Sequence, residues 1–399
     1  MRVLIATVTA GGGHLAAAAA LEEAWRRLRP NDVLEKVDVL DFASKFYRKI
    51  YVETYVKVIE HVPELYAMMF KKTDNDEEVQ KADSFRRSFA HHTNKGFVKY
   101  IKQFQPDIVL CPHYLPLEII GHDDKKALPK PFMVSIVTDF EAHAFWLEPA
   151  VNFYCVAADE TRGSLVARGV PAEQVAVTGI PISGRFSEKL DLLDIRRTYG
   201  LRDDMPTLLV LAGGFGMGPV GEILEQLDKV KGHFHTLVVA GRNQELREEL
   251  CLKERKHPTQ VIGYSKNMHE LMAVSDLIVT KPGGLTSSEA LAMGKPILII
   301  NPIPGQEAAN SDFLLEHGAA TKVNRVEDIP FRLHQMLEKE KLAEMGSAAR
   351  ALGRPDAALD ICRSVVSQFE QKTLPKVLED ARGSELEIPY LRSKMRAVL

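Results

Sequence analysis

The chain has 399 residues, 45% of them apolar and 26% charged, with a net charge of -3. That length favours two domains of ordinary size, and the composition is that of a water-soluble globular protein. The small net charge gives no global reason for a nucleic-acid partner, and no apolar run reaches the roughly eighteen residues that would span a bilayer.

The opening Arg2, apolar run and alanines mimic a secretory leader. Val3–Val8 is too short for one, and Gly11-Gly12-Gly13-His14 interrupts it, so a cytoplasmic protein is expected. Arg2–Val8 reads as a buried strand and His14–Leu28 as a helix rich in Ala, Leu and Glu. Val33–Leu40 reads as the next strand, followed by a long, mostly helical and polar region to about Phe104. Asp107–Cys111, Phe132–Thr138, Phe153–Ala157 and Gln174–Val177 are further strand candidates. Their alternation with helices predicts a parallel sheet covered on both faces. After Gly179-Ile180-Pro181-Ile182, the polar Ser183–Met205 segment reads as a helical connection, and the pattern restarts. Thr207–Leu211 is a strand, Gly213-Gly214-Phe215-Gly216 a glycine turn, and Val220–Val230 a helix. Thr236–Ala240, Gln260–Ile262, Leu277–Thr280 and Pro296–Ile300 follow as strands. Both halves begin with an apolar strand, a glycine loop and a helix, so the expected class is α/β, with two Rossmann-like doubly wound parallel-sheet domains facing a cleft. The expected division is 1–182 for an N-terminal domain, 183–205 for a linker and 206–356 for a C-terminal domain. A helical tail, 357–399, would pack back toward the first domain. The cysteines Cys111, Cys155, Cys251 and Cys362 fit no metal spacing and read as free thiols of a reducing compartment.

Chemistry concentrates in a few segments. Lys281-Pro282-Gly283-Gly284-Leu285-Thr286-Ser287-Ser288-Glu289 follows a strand and opens a helix. Thr286 as N-cap with Glu289 three residues on would form a capping box. The same geometry would present backbone N–H groups to a diphosphate and a carboxylate to a ribose diol. Pro302-Ile303-Pro304-Gly305-Gln306-Glu307-Ala308-Ala309-Asn310 places Gln306, Glu307 and Asn310 at the next helix start, where they suit a polyhydroxylated sugar or simply a solvated N-terminus. The loop through Gly12, Gly13 and His14 fits neither a dinucleotide fingerprint nor a P-loop. His14, at a helix entrance whose dipole would depress its pKa, is either a cap or a neutral general base. Asp139 ends a strand, where ligands bind in such folds; it is a loop or cap aspartate, or an acid that orients or deprotonates a hydroxyl. Phe42–Lys72 interleaves aromatics with Lys and Arg, which suits either a packed helical pair with a basic face or an anionic lipid surface.

Taken together, Lys281–Glu289, Pro302–Asn310, Thr138-Asp139-Phe140 with His143 and Trp146, and Thr178-Gly179-Ile180-Pro181 resemble the signature of the inverting GT-B glycosyltransferases of family 28. Within it, the likeness is to the monogalactosyldiacylglycerol synthases of plastids and the processive diacylglycerol glucosyltransferases of Gram-positive bacteria. The resemblance runs from Ile5 to about Asn324. It implies that Glu289 holds a uridine ribose, that Gly283, Gly284, Leu285 and Thr286 line the diphosphate, and that Gln306 and Glu307 contact the hexose. Gly213, Gly214, Phe215 and Gly216 would form the second glycine loop at the nucleotide, and Asn310 would join the donor side. His14 or Asp139 would be the base, with His143 and Trp146 on the acceptor side and Trp146 facing a membrane or acyl chain. The implied activity is transfer of a hexose from a UDP-sugar to a lipid acceptor, diacylglycerol or a glycolipid, at the inner face of the cell membrane. With a helix dipole and backbone N–H groups placed to carry the charge of the leaving group, no essential metal and no cofactor are expected. Two other readings are a peptidoglycan-type GlcNAc transferase, which would tend to carry two glutamines at Gln306-Glu307, and a nucleotide-sugar epimerase.

Overall fold

Buried parallel strands are covered on both faces, so they appear as unbroken apolar runs. Arg2–Thr7 (β1) shows this: Val3, Leu4, Ile5 and Ala6 are all fully buried. A computed structural model of the chain describes residues 1–9, 11–44, 47–48, 68, 70–74, 88–121, 131–213 and 218–383, with side chains to 373. The first sheet also contains Val33–Asp38 (β2), Ile108–Cys111 (β3), Phe132–Ile136 (β4), Phe153–Val156 (β5) and Val175–Val177 (β6), in the order β2-β1-β3-β4-β5-β6. The second is built from Thr207–Leu211 (β7), His235–Val239 (β8), Thr259–Ile262 (β9), Leu277–Thr280 (β10), Ile297–Ile299 (β11) and Ala320–Lys322 (β12). Its order is β12-β11-β10-β7-β8-β9, and every pairing in both sheets is parallel.

The strand order reverses between β1 and β3 in the first sheet and between β7 and β10 in the second. At such switch points the flanking loops diverge and leave a crevice beyond the carboxyl ends of the strands, where α/β folds bind ligands. The glycine loop before His14 follows β1, Pro112-His113 follows β3, and Thr138-Asp139 follows β4. On the other side, Gly213 follows β7 and Lys281–Gly284 follows β10.

Some local features differ from expectation. The first helix is Gly12–Leu28, beginning two residues before His14, with Gly11 ahead of it at φ 146°, a backbone angle that favours glycine. The Ser183–Met205 connection is a single 3₁₀ turn, Gly184–Ser187, and a short helix, Leu192–Thr198, rather than one continuous helix. The edge strand β12 carries only three residues and no apolar run, which is why its sequence gives no strand signal. No helix among the described residues is long and apolar enough to cross a membrane.

The helix Ala357–Gly383 returns to the first sheet. Ala358, Ile361, Cys362 and Val365 recur at helical spacing and pack with Val3, Ile5, Leu21 and Trp25. Because Ile361 is fully buried in that layer, Ile361→Ala is expected to cost about 2–5 kcal/mol in denaturant unfolding. A change under about 0.5 kcal/mol, the scale of a surface substitution, would show that the helix is not part of this core.

Candidate active site

The two domains meet where β4 ends. The helix Gly284–Ala292 starts against that strand end so closely that a Cβ on Gly284 would lie 2.0 Å from the Thr138 carbonyl oxygen and 3.2 Å from Asp139 Oδ1. Only glycine permits that approach. Gly13 faces the same helix, since a Cβ there would lie 3.9 Å from Leu285 Cβ. Behind them, the Phe140 and Phe313 rings stack at 4.4 Å, closing the junction with apolar surface.

On the N-terminal side, His14 Nδ1 lies 2.9 Å from the Pro112 carbonyl oxygen and 3.3 Å from Thr138 Oγ1. A carbonyl only accepts, so Nδ1 carries the hydrogen and Nε2 presents its lone pair. Burial pushes His14 below the ordinary imidazole range, against the opposing pull of Asp139 and of the Pro112 hydrogen bond. The direction is the one expected at a helix entrance, but enclosure rather than the helix dipole is the leading cause. Burial likewise raises the Asp139 pKa, against the Asn310 hydrogen bond and the His14 charge. No hydrogen bond joins Asp139 to His14 among the described residues.

A second imidazole, unmarked in the sequence reading, completes this floor. His113 is 3% exposed, accepts the Leu115 N–H at Nδ1 (3.0 Å), and meets the His14 ring edge-on at 4.6 Å. Burial holds it far below the usual imidazole range, and the neighbouring His14 charge acts in the same direction. It therefore stays neutral beside His14. Its signal was available: a histidine two residues past a buried strand at the switch point.

On the C-terminal side, Gly283 rather than Thr286 is the N-cap, and no side chain caps the helix. Thr286 lies within the first turn, so the expected capping box is not formed. The N–H groups of Gly284, Leu285 and Thr286 meet no acceptor among the described residues, as the first turn of a helix dictates. Glu289, one turn further on, has no hydrogen-bond or ion-pair partner either, and burial pushes its carboxyl up to about 8. Glu307 accepts the Ile303 N–H (2.7 Å) at one oxygen, while its other oxygen lies 3.9 Å from where a Cβ on Gly283 would stand. Burial raises its pKa to about 7, opposed by the Ile303 bond and by Lys281. Gln306 begins the same helix, Gln306–Glu316. Gly213, two residues past β7, has a left-handed conformation (φ 76°), whereas Gly214, Phe215 and Gly216 lie outside the described residues.

Three expectations are corrected. Asn310 is not a solvated helix-start residue: it is fully buried, with both ends of its amide bonded across the domain junction. Trp146 does not face a membrane; it is 4% exposed and packs edge-on against Tyr114 in the N-terminal core. His143 is buried, with Nδ1 accepting the Phe145 N–H and Nε2 beside the Phe70 carbonyl and Thr73 Oγ1, so it anchors chain segments. Most of Phe42–Lys72 and the basic tail at Tyr390–Arg396 lie outside the described residues. The described aromatics of that stretch turn inward: Phe42 meets Phe97 and Tyr100, Tyr47 meets Phe89, and Phe70 meets His143.

Residues 14–182 match the monogalactosyldiacylglycerol (MGDG) synthase family, and residues 208–360 match the glycosyltransferase family 28 C-terminal domain. The chain is 30% identical over 371 residues to a processive diacylglycerol beta-glucosyltransferase of Bacillus mycoides, covering 92% of this chain and 94% of that protein. It is 29% identical over 373 residues to the Bacillus pumilus protein of the same name, covering 92% and 95%. In fold it is similar to MurG of Acinetobacter baumannii, with a TM-score of 0.58 at 15% identity over 92% of this chain and 99% of that one. It is similar in the same way to the UDP-GlcNAc 2-epimerase of Neisseria meningitidis, with a TM-score of 0.56 at 15% identity over 92% and 100%. The chain belongs to the glycosyltransferase family that joins an MGDG-synthase-type N-terminal domain to a family 28 C-terminal domain in a GT-B fold.

Proposed function

We propose that this enzyme transfers a hexose from a UDP-sugar to the hydroxyl of a lipid, diacylglycerol or a glycolipid, with inversion at the anomeric carbon. The observation that carries the reading is the pairing of unsatisfied groups across one cleft. His14 Nε2 stands on one side; the first-turn N–H groups stand on the other, with Glu289 a turn beyond them and without a partner among the described residues. The names of the curated relatives supply the substrate class.

In this scheme the acceptor O–H proton passes to His14 Nε2 as the acceptor oxygen bonds to the anomeric carbon. The bond from that carbon to the phosphate oxygen breaks, and its electron pair leaves with UDP. The N–H groups of Gly284, Leu285 and Thr286, at the positive end of their helix, take up the charge that develops on the diphosphate. Lys281, the residue after β10, adds a cation whose charge reaches Glu307. Glu289 receives the ribose diol, and Gln306 and Glu307 face the hexose. A lipid acceptor requires the N-terminal domain to work at a membrane surface, and the basic residues of the Phe42–Lys72 stretch suit an anionic one.

The test is incubation with a panel of UDP-sugars and diacylglycerol in anionic vesicles, followed by mass spectrometry of the lipids. A hexosyl-diacylglycerol product is expected from at least one donor; none from any donor, with lipid or glycolipid, sinks the reading. His14→Ala is expected to lower kcat by about 10²–10⁴-fold while UDP affinity stays unchanged. Parallel loss of both would remove His14 from the role of base.

Glu289 links function to stability. Its folded pKa is raised from 4.5 to about 8, so its contribution to stability is fully present below about pH 4.5 and lost as pH rises through 8. Glutamine keeps the neutral shape. Glu289→Gln is therefore expected to melt at least about 2–4 °C above the wild type at pH 9, a gap that closes toward pH 4.5, and to bind UDP more weakly. Equal melting at both pH values would show that the carboxyl is not buried as described.

A further inference from the structure

Three groups at the domain junction belong to two different domains and to one small network. Asn310 Nδ2 donates to Asp139 Oδ1 at 2.9 Å, and Asn310 Oδ1 accepts the Phe140 N–H at 2.8 Å. The partners are 171 and 170 residues away in sequence, and the amide between them is completely buried. Only one orientation of the amide satisfies both contacts, because a carboxylate cannot donate and a backbone N–H cannot accept. Phe140 is gripped further: its carbonyl accepts from Thr161 Oγ1 at 2.5 Å, and its ring stacks on Phe313 of the helix that carries Asn310. Asp139 is thus held at one oxygen. Oδ2 has no hydrogen-bond partner among the described residues.

We infer that Asn310 is a positioning residue for Asp139, an interdomain latch that places the carboxylate only when the domains are closed. The residue joins no donor contact in this role. It rests on the glycosyl-transfer reading only for what Asp139 then does, which is to stand beside the neutral His14 and complement its positive charge as it takes up the acceptor proton. Without Asn310 the carboxylate loses its one hydrogen-bond donor in an enclosed site, where an unsatisfied charged group is costly. The charged groups facing Asp139 are His14 from the Gly12–Leu28 helix and Glu307 from the Gln306–Glu316 helix. Neither supplies a hydrogen bond in place of the amide.

The inference separates from the alternative that Asn310 touches the donor sugar. Asn310→Ala is expected to lower kcat on the order of 10–100-fold, with the UDP-sugar KM and UDP affinity within about twofold of wild type. Asn310→Asp keeps an acceptor for the Phe140 N–H but sets a carboxylate against Asp139. It is expected to be as impaired at pH 8 and to recover relative to wild type as pH falls, since one proton shared by the pair restores a donor. Small-angle scattering reads the latch without any turnover: Asn310→Asp is expected to be more extended than wild type at pH 8 and to match it near pH 5. A raised donor KM with unchanged kcat, or scattering curves that coincide with wild type at both pH values, overturns the inference. Absence of transfer by the wild type, with the scattering shift present, would instead count against the substrate reading and leave the latch standing. Thermal unfolding of both variants separates loss of the latch from loss of the fold.

Discussion

The end of β4 and the start of the Gly284 helix approach so closely that residue 284 has no room for a side chain, and the chemistry of the cleft follows from that approach. A helix N-terminus carries partial positive charge and unpaired N–H groups. Seating it on a strand end brings those donors into the same small volume as Asp139 and, beyond Thr138, His14. Neither domain holds this set by itself. The first contributes imidazoles and an acid; the second contributes donors, Lys281 and two further carboxyls. The Phe140–Phe313 stack closes the rear of the junction with apolar surface, and the groups in front of it are half-buried.

Enclosure moves five titratable groups of the cleft in the same sense, toward the neutral form. Asp139, Glu289 and Glu307 are raised, and His14 and His113 are lowered, each with burial as the leading cause. For a site meant to receive a diphosphate this matters in two ways. Carboxyls that ionise reluctantly repel an incoming anion less, and Lys281 beside them is then less neutralised. The imidazole that must take a proton begins without one. The cost is borne by the ligand-free fold, which keeps Glu289 and three N–H groups without partners among the described residues, and a ligand that pairs with them relieves it. That exchange of stability for binding is common where function needs groups unsatisfied in the resting protein.

Much of this was legible in the sequence, and the exceptions share a cause. Buried parallel strands announce themselves as apolar runs, and both switch-point glycine loops stood out because turns that open helices require small residues. His14, Gly284 and Glu289 stood out at those loops and Asp139 at a strand end, and the structure sets Gly284 against Thr138 and Asp139, with His14 beside Thr138. The short edge strand β12 has no apolar pattern to read. Trp146 and His143 stand near an acid in sequence and looked like ligand contacts, yet both are buried, Trp146 in the N-terminal core and His143 against Phe70 and Thr73. Asn310 is the most instructive case: a polar side chain at a helix start suits solvent, and nothing local reveals a partner 171 residues away. Long-range pairing of polar groups leaves no periodicity to find.

The helix Gln306–Glu316 shows how one element serves both sides of the cleft. Gln306, Asn310 and Phe313 are spaced i, i+4 and i+7, so they share one face of the helix. The first lies at the end proposed to meet the hexose, the second holds Asp139, and the third stacks on Phe140. An α-helix of this length transmits displacement as a nearly rigid body, because each turn is bonded to the next and its buried face is packed. Gly305, just ahead of it, has a φ of 95° and lies against the Phe70 ring, so the helix entrance is also fixed from the N-terminal domain. A shift at the sugar end therefore cannot be absorbed within the helix. It must appear at Asn310, and so at the carboxylate that Asn310 holds.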